Sequence, residues 1–78
     1  NQKEIGRLFP NPANASFSIS GIKGATTLIV YSFNGQKQIE QSMNQTESVD
    51  ISNLPNGTYV VVVQNKEGVF REKLVVQR

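Results

Sequence analysis

The run Thr58-Tyr59-Val60-Val61-Val62-Val63 constrains this chain more than any other stretch. Every residue in it is β-branched or aromatic, which favours extended backbone over helix. Both parities stay apolar up to Gln64, the pattern of a central strand buried on two sides, with shorter segments packed around it. The corner Asn53-Leu54-Pro55-Asn56-Gly57 precedes it. Pro55 fixes φ and donates no hydrogen bond, and Gly57 takes positive φ at little steric cost, so the chain is expected to reverse there. Tyr59, just after Gly57, occupies the setting of a tyrosine corner, whose hydroxyl bonds back to upstream backbone. A large core residue with a wet tip explains the position equally well.

The rest of the chain alternates in short runs. A first strand is expected near Ile5 to Phe9, stopped by Pro10-Asn11-Pro12, whose prolines cannot donate to a ladder. Residues 16–20 put Phe17 and Ile19 on a core face, and Gly21-Ile22-Lys23-Gly24 reads as a loop. Over residues 26–33, Leu28 and Val30 face one way, and Ile29, Tyr31 and Phe33 the other. Asn34-Gly35 predicts a two-residue type I′ hairpin with positive φ at both positions. Residues 37–42 return around Ile39 with little apolar content, as an edge strand would, and Met43-Asn44-Gln45-Thr46 reads as a polar loop. Val49 and Ile51 mark a short strand into the corner. After Lys66-Glu67-Gly68, a last strand carries Phe70, Leu74 and Val76 on the core parity, with Arg71 and Lys73 opposite. About seven short strands, turn signals roughly every 8–12 residues and no helical period predict an all-β, immunoglobulin-like antiparallel β-sandwich. Phe17, Leu28, Val30, Tyr59, Val61 and Leu74 are its expected core.

Composition removes most chemistry. The chain has 78 residues, enough for one domain. A chain of that size buries only about 60–65% of its unfolded surface, so its stability margin is thin. It has no cysteine and no histidine, hence no disulfide, no thiolate, no usual general base and none of the commonest metal ligand. The acids Glu4, Glu40, Glu47, Asp50, Glu67 and Glu72 are scattered singly, so no metal, cofactor or catalytic carboxylate pair is expected. The net charge of +2 comes from bases that do not interleave with aromatics, which argues against a nucleic-acid partner. No apolar run approaches the roughly 18–20 residues of a membrane span. The opening NQKEIGRLF is not a signal peptide, and a start without Met fits a piece of a longer protein or a processed product.

The remaining motifs favour bland explanations. Asn14, Asn44 and Asn56 open Asn-x-Ser/Thr sequons, but loops are rich in these residues anyway. Ser18, Ser20, Ser42 and Ser48 have no partner base, and residues 21–24 are too short for a phosphate loop. The aromatics fall nearly all on predicted core faces, which argues against stacking on sugars.

Four features in order nevertheless resemble a family: Leu8-Phe9-Pro10-Asn11-Pro12-Ala13, then Val30-Tyr31-Ser32-Phe33-Asn34-Gly35-Gln36, then the corner through Thr58-Tyr59, then Lys73-Leu74-Val75-Val76-Gln77-Arg78. Together they are similar to the C-terminal sorting domain of type IX secretion cargo, type A. The resemblance spans residues 8–78, and its motif positions fall on Pro10, Asn11, Pro12, Asn34, Gly35, Leu54, Pro55, Gly57 and Tyr59. Ser32 departs from it, standing where the family commonly has an acid or Asn. The resemblance implies a non-catalytic secretion signal without cofactor, with residues 1–6 a linker to an N-terminal cargo and 7–78 the sorting domain. Its implied partners are an outer-membrane translocon, reading Lys73, Leu74, Val75, Val76, Gln77 and Arg78, and a sortase-like surface protease that usually cuts upstream. The implied route leads through the periplasm of a Gram-negative bacterium to the cell surface or beyond. An extracellular adhesion or carbohydrate-binding module is the alternative. Removal of Gln77 and Arg78 alone is expected to leave the core intact, since both lie past the last inward position.

Overall fold

The computed structural model describes residues 8–10, 13–45, 47–66 and 68–78. Its strands are β1 (Leu8–Phe9), β2 (Ser16–Ile19), β3 (Lys23–Ser32), β4 (Lys37–Gln45), β5 (Ser48–Asp50), β6 (Gly57–Asn65) and β7 (Gly68–Val76). They form a three-stranded sheet, β1-β2-β5, and a four-stranded sheet, β4-β3-β6-β7, with antiparallel pairing throughout. The chain is therefore the all-β, immunoglobulin-like sandwich that its turn spacing predicts. Residues 1–7, Asn11, Pro12, Thr46 and Glu67 lie outside the described residues, and with them the expected linker and the start of the first strand.

Parity explains the core. Leu8, Phe17, Ile19 and Val49 point inward from the smaller sheet, and Leu28, Val30, Tyr59, Val61, Val63, Leu74 and Val76 from the larger. All six residues named as core from sequence are buried, between 0% and 6% exposed. Ile22, Leu54 and Ile51 plug the same core from the connections.

Four expectations need correction. β6 is central in its sheet, but Val60 and Val62 are only half-buried. They pack sideways against Tyr31 and Ile29 on β3 and lie opposite Lys73 and Arg71 on β7, so both parities are apolar although only one is covered. Lys23 and Gly24 belong to β3, reached through a register shift before Thr26, and are not loop. Met43 is no loop residue either: β4 continues to Gln45 and seats Met43 at 4% exposure. Finally, the aromatics are not mostly interior, since Phe9 and Phe33 are 47% and 81% exposed.

The hairpin between β3 and β4 also differs from a type I′ turn. Gly35 has φ 91°, but among the described residues no non-glycine, Asn34 included, has positive φ. The Gly35 N–H donates to the Ser32 carbonyl at 2.9 Å, and the Ser32 N–H to the Gln36 carbonyl at 2.8 Å. The loop is thus Phe33-Asn34-Gly35, a turn with ordinary φ followed by a left-handed glycine, and the added residue is absorbed by a register shift after Val30. Ser32 builds this turn: its hydroxyl donates to Asn34 Oδ1 and accepts the Gln36 N–H. A Cβ on Gly35 would meet nothing within 4 Å, so any penalty there is backbone strain alone. Gly35→Val is expected to cost about 1–3 kcal/mol in urea unfolding, with Gly35→Asn losing much less because Asn tolerates this region. Equal losses would place the cost outside φ.

Candidate recognition surface

Register brings the separated motifs together. Val76 lies opposite Gly57, Ser32 opposite Tyr59, and Asp50 opposite Ser16. Ala13 forms a parallel bridge to Val76. One end of the sandwich therefore gathers Pro10 and residues 13–15, the turn at residues 33–35, the corner at residues 51–56 and the tail Gln77-Arg78. Of the family-motif positions, Pro10, Asn34, Gly35, Leu54, Pro55, Gly57 and Tyr59 fall there, and Asn11 and Pro12 lie outside the described residues. The molecule is 34 Å long and 22 Å across, so these groups share a surface about one domain-width wide.

The corner is held by side chains from elsewhere. The Leu54 N–H closes a turn on the Ile51 carbonyl at 3.0 Å, and the Ile51 N–H donates to the Ala15 carbonyl at 2.9 Å. The Tyr59 hydroxyl donates to the Pro55 carbonyl at 2.7 Å while its ring is buried, so both readings of this residue hold at once. Gly57, with φ 157°, opens β6 instead of turning the chain, and the reversal falls upstream at residues 51–54. At the mouth of the corner, Asp50 Oδ1 accepts the Ser52 N–H at 2.9 Å and the Ser52 hydroxyl at 2.7 Å.

These two bonds, the backbone one foremost, hold the Asp50 carboxyl below the usual carboxylate value. A depressed folded value contributes stability that is full above the unfolded value and is lost as pH falls through the folded one. The group is fully exposed, so the readout is the titration itself. Carbon-detected titration is expected to give Asp50 a midpoint below that of an ordinary aspartate, moving partway back in Ser52→Ala. An ordinary midpoint would mean that the turn is not held in solution.

The tail residues divide by role. Leu74 and Val76 are 0% and 1% exposed, so a partner meets them only through the backbone they fix. Val75 is half-buried, and Lys73, Gln77 and Arg78 are exposed. Gln77 and Arg78 lie past the last inward position, yet both are hydrogen-bonded to the fold. The Ala13 N–H donates to the Val75 carbonyl, and the Gln77 N–H to the Ala13 carbonyl, both at 2.8 Å. The Arg78 N–H donates to Asn56 Oδ1 at 3.1 Å, and its guanidinium donates from Nη1 to the Leu54 carbonyl and from Nη2 to the Ile51 carbonyl at 2.7 Å. The sequence gives Ala13 a place in a motif and Arg78 one in recognition, but shows neither as holding the tail to the fold. A buried alanine after two prolines carries no pattern, and backbone carbonyls leave no trace in side-chain identity.

The chemistry on offer here is hydrogen bonding and shape. Among the described residues no group of three or more acids forms a metal cage, and no helix is long and apolar enough to cross a membrane. A shallow groove lined by Thr27, Glu40, Ser42, Glu47 and Gln64, among others, contains none of the motif positions.

No curated protein matches the chain. The family model of the secretion system C-terminal sorting domain, that of type IX secretion, matches residues 7–77. The match supports a C-terminal secretion signal for the type IX route, in a family that is itself non-catalytic. It implies attachment to a cargo protein and export to the cell surface or the extracellular space. With a match over nearly its whole length, a sandwich fold and its motif residues gathered at one end, the chain belongs to the family of type IX secretion C-terminal sorting domains.

Proposed function

We propose that this domain carries its cargo from the periplasm across the outer membrane through the type IX translocon, and that a sortase-like surface protease then removes it. In this reading residues 1–6 link to the cargo, residues 7–78 form the sorting unit, and the cut falls in or before the linker. Residues 73–78, with the motif positions around them, supply the contact to the translocon. The observation that supports the reading is that the tail is hydrogen-bonded to both the corner and Ala13, so the family-motif segments at this end form one connected surface, which strand topology alone does not require.

Residues 1–78 fused behind a periplasmic reporter are expected to take it outside a host with the type IX machinery and to leave it in the periplasm of a host lacking the translocon. Retention in the competent host sinks the proposal. Exposed Phe9 and Phe33 favour a second reading, since planar faces stack on sugar rings. Shifts of their NMR signals on adding soluble oligosaccharides would support that carbohydrate-binding alternative.

A further inference from the structure

The tail and the corner meet through one side chain. The corner is rich in acceptors: the Ile51, Leu54 and Pro55 carbonyls and Asn56 Oδ1 all receive hydrogen bonds. Tyr59 serves Pro55 from inside the domain, and Arg78 serves the other three from the tail. The Ile51 carbonyl already accepts the Leu54 N–H, so the guanidinium takes its second lone pair. A planar fork with donors fixed relative to each other spans two carbonyls in a way that a single ammonium does not. On the other flank of the tail, Ala13 accepts the Gln77 N–H and donates to the Val75 carbonyl. The last residues are thus held on both sides, by the corner and by the segment after β1.

We propose that Arg78 is a positioning residue, whose fork latches the tail to the corner so that the sorting machinery reads tail, corner and Ala13 segment as one composite surface and not the tail side chains alone. The inference rests on the sorting reading above. The partner it implies is a protein that contacts all three segments at once. The latch uses the backbone N–H of Gln77, whose side chain is exposed and has no part in it.

That asymmetry provides the test. Gln77→Ala removes the side chain and keeps the N–H, whereas Gln77→Pro removes the N–H. Arg78→Ala removes the fork. Each is measured in the cargo fusion for export, and in the 78-residue chain for amide hydrogen exchange at Leu54, with Leu28 and Val61 as core reporters. Gln77→Ala is expected to lose less export than Gln77→Pro and to leave exchange at Leu54 at the wild-type rate. Gln77→Pro and Arg78→Ala are expected to lose export by about tenfold, and Arg78→Ala, which removes both guanidinium bonds, to exchange Leu54 faster by a similar factor. Core amides stay protected in all of them. If either variant melts the core, Asn56→Ala, which removes only the acceptor of the Arg78 N–H, is read the same way.

Loss of export in Gln77→Ala equal to that in Gln77→Pro overturns the proposal in favour of a read side chain. So does Arg78→Ala with lost export and unchanged exchange, which means the partner binds the guanidinium directly. Faster exchange with normal export shows a latch that the machinery does not need, and also overturns it. A wild-type fusion that is never exported condemns the sorting reading itself, an outcome distinct from all of these.

Discussion

Phe17→Ala is expected to lose about 3–5 kcal/mol, the usual cost of emptying an aromatic core site. Phe17 is 1% exposed on β2, the middle strand of the smaller sheet, directly opposite Val49. That sheet has three short strands, so few bulky neighbours are placed to collapse into the gap. A 78-residue chain has a total stability on the order of 4–12 kcal/mol. The substitution therefore removes a large part of it, and the urea midpoint should fall by a molar unit or more at a slope of about 1–2 kcal/mol/M. Phe17→Leu, which keeps most of the volume, should cost less than about 1.5 kcal/mol. An unchanged midpoint in Phe17→Ala would mean that the smaller sheet does not pack as described.

Deletion of residues 73–78 is expected to abolish cooperative folding altogether. It removes Leu74 and Val76, both buried, along with their pairing to Tyr59 and Gly57 on β6. It also strips the corner of Arg78 and Ala13 of its partners in the tail. The first half of β6, Gly57 to Val60, would then be an unpaired edge of the kind that pairs between molecules, so aggregation should accompany the loss. Deletion of Gln77 and Arg78 alone keeps both core side chains and should leave a folded domain, destabilised by about 1–3 kcal/mol through its lost hydrogen bonds. Circular dichroism during urea unfolding separates the two. A cooperative transition in the longer deletion would show that the end of β7 is not needed to complete the sandwich.

The core was legible because alternation is a local property. Phe17 and Ile19, or Leu28 and Val30, declare their face within a few residues. Where both parities are apolar, as over Val60 to Val63, alternation cannot say which face is covered. Only the neighbours in the sheet decide that, and here they leave Val60 and Val62 half-open. Met43 and Ile22 were missed for the opposite reason: each is a single apolar residue in a polar stretch, and one residue has no period. The dipeptide Asn34-Gly35 correctly marked a hairpin, but the turn type depends on where the flanking strands come into register. The recognition surface was legible as a set of motifs and not as a place. Its assembly depends on long-range register, Val76 against Gly57 and Ala13 against Val76, which no window of sequence contains.

The parallel bridge between Ala13 and Val76 has a mechanical meaning. β1 and β7 both run toward the motif end, so a pull on Leu8 away from that end and a pull on the tail beyond it act in opposite directions. A load applied between a tethered cargo and a gripped tail pulls Ala13 and Val76 past each other along their common axis. The bonds from the Ala13 N–H to Val75 and from the Gln77 N–H to Ala13 then bear that load together in shear, where a hairpin pulled open from its end would break them one after the other. A domain dragged by its end while its cargo lags is, in this geometry, loaded across that parallel bridge in shear.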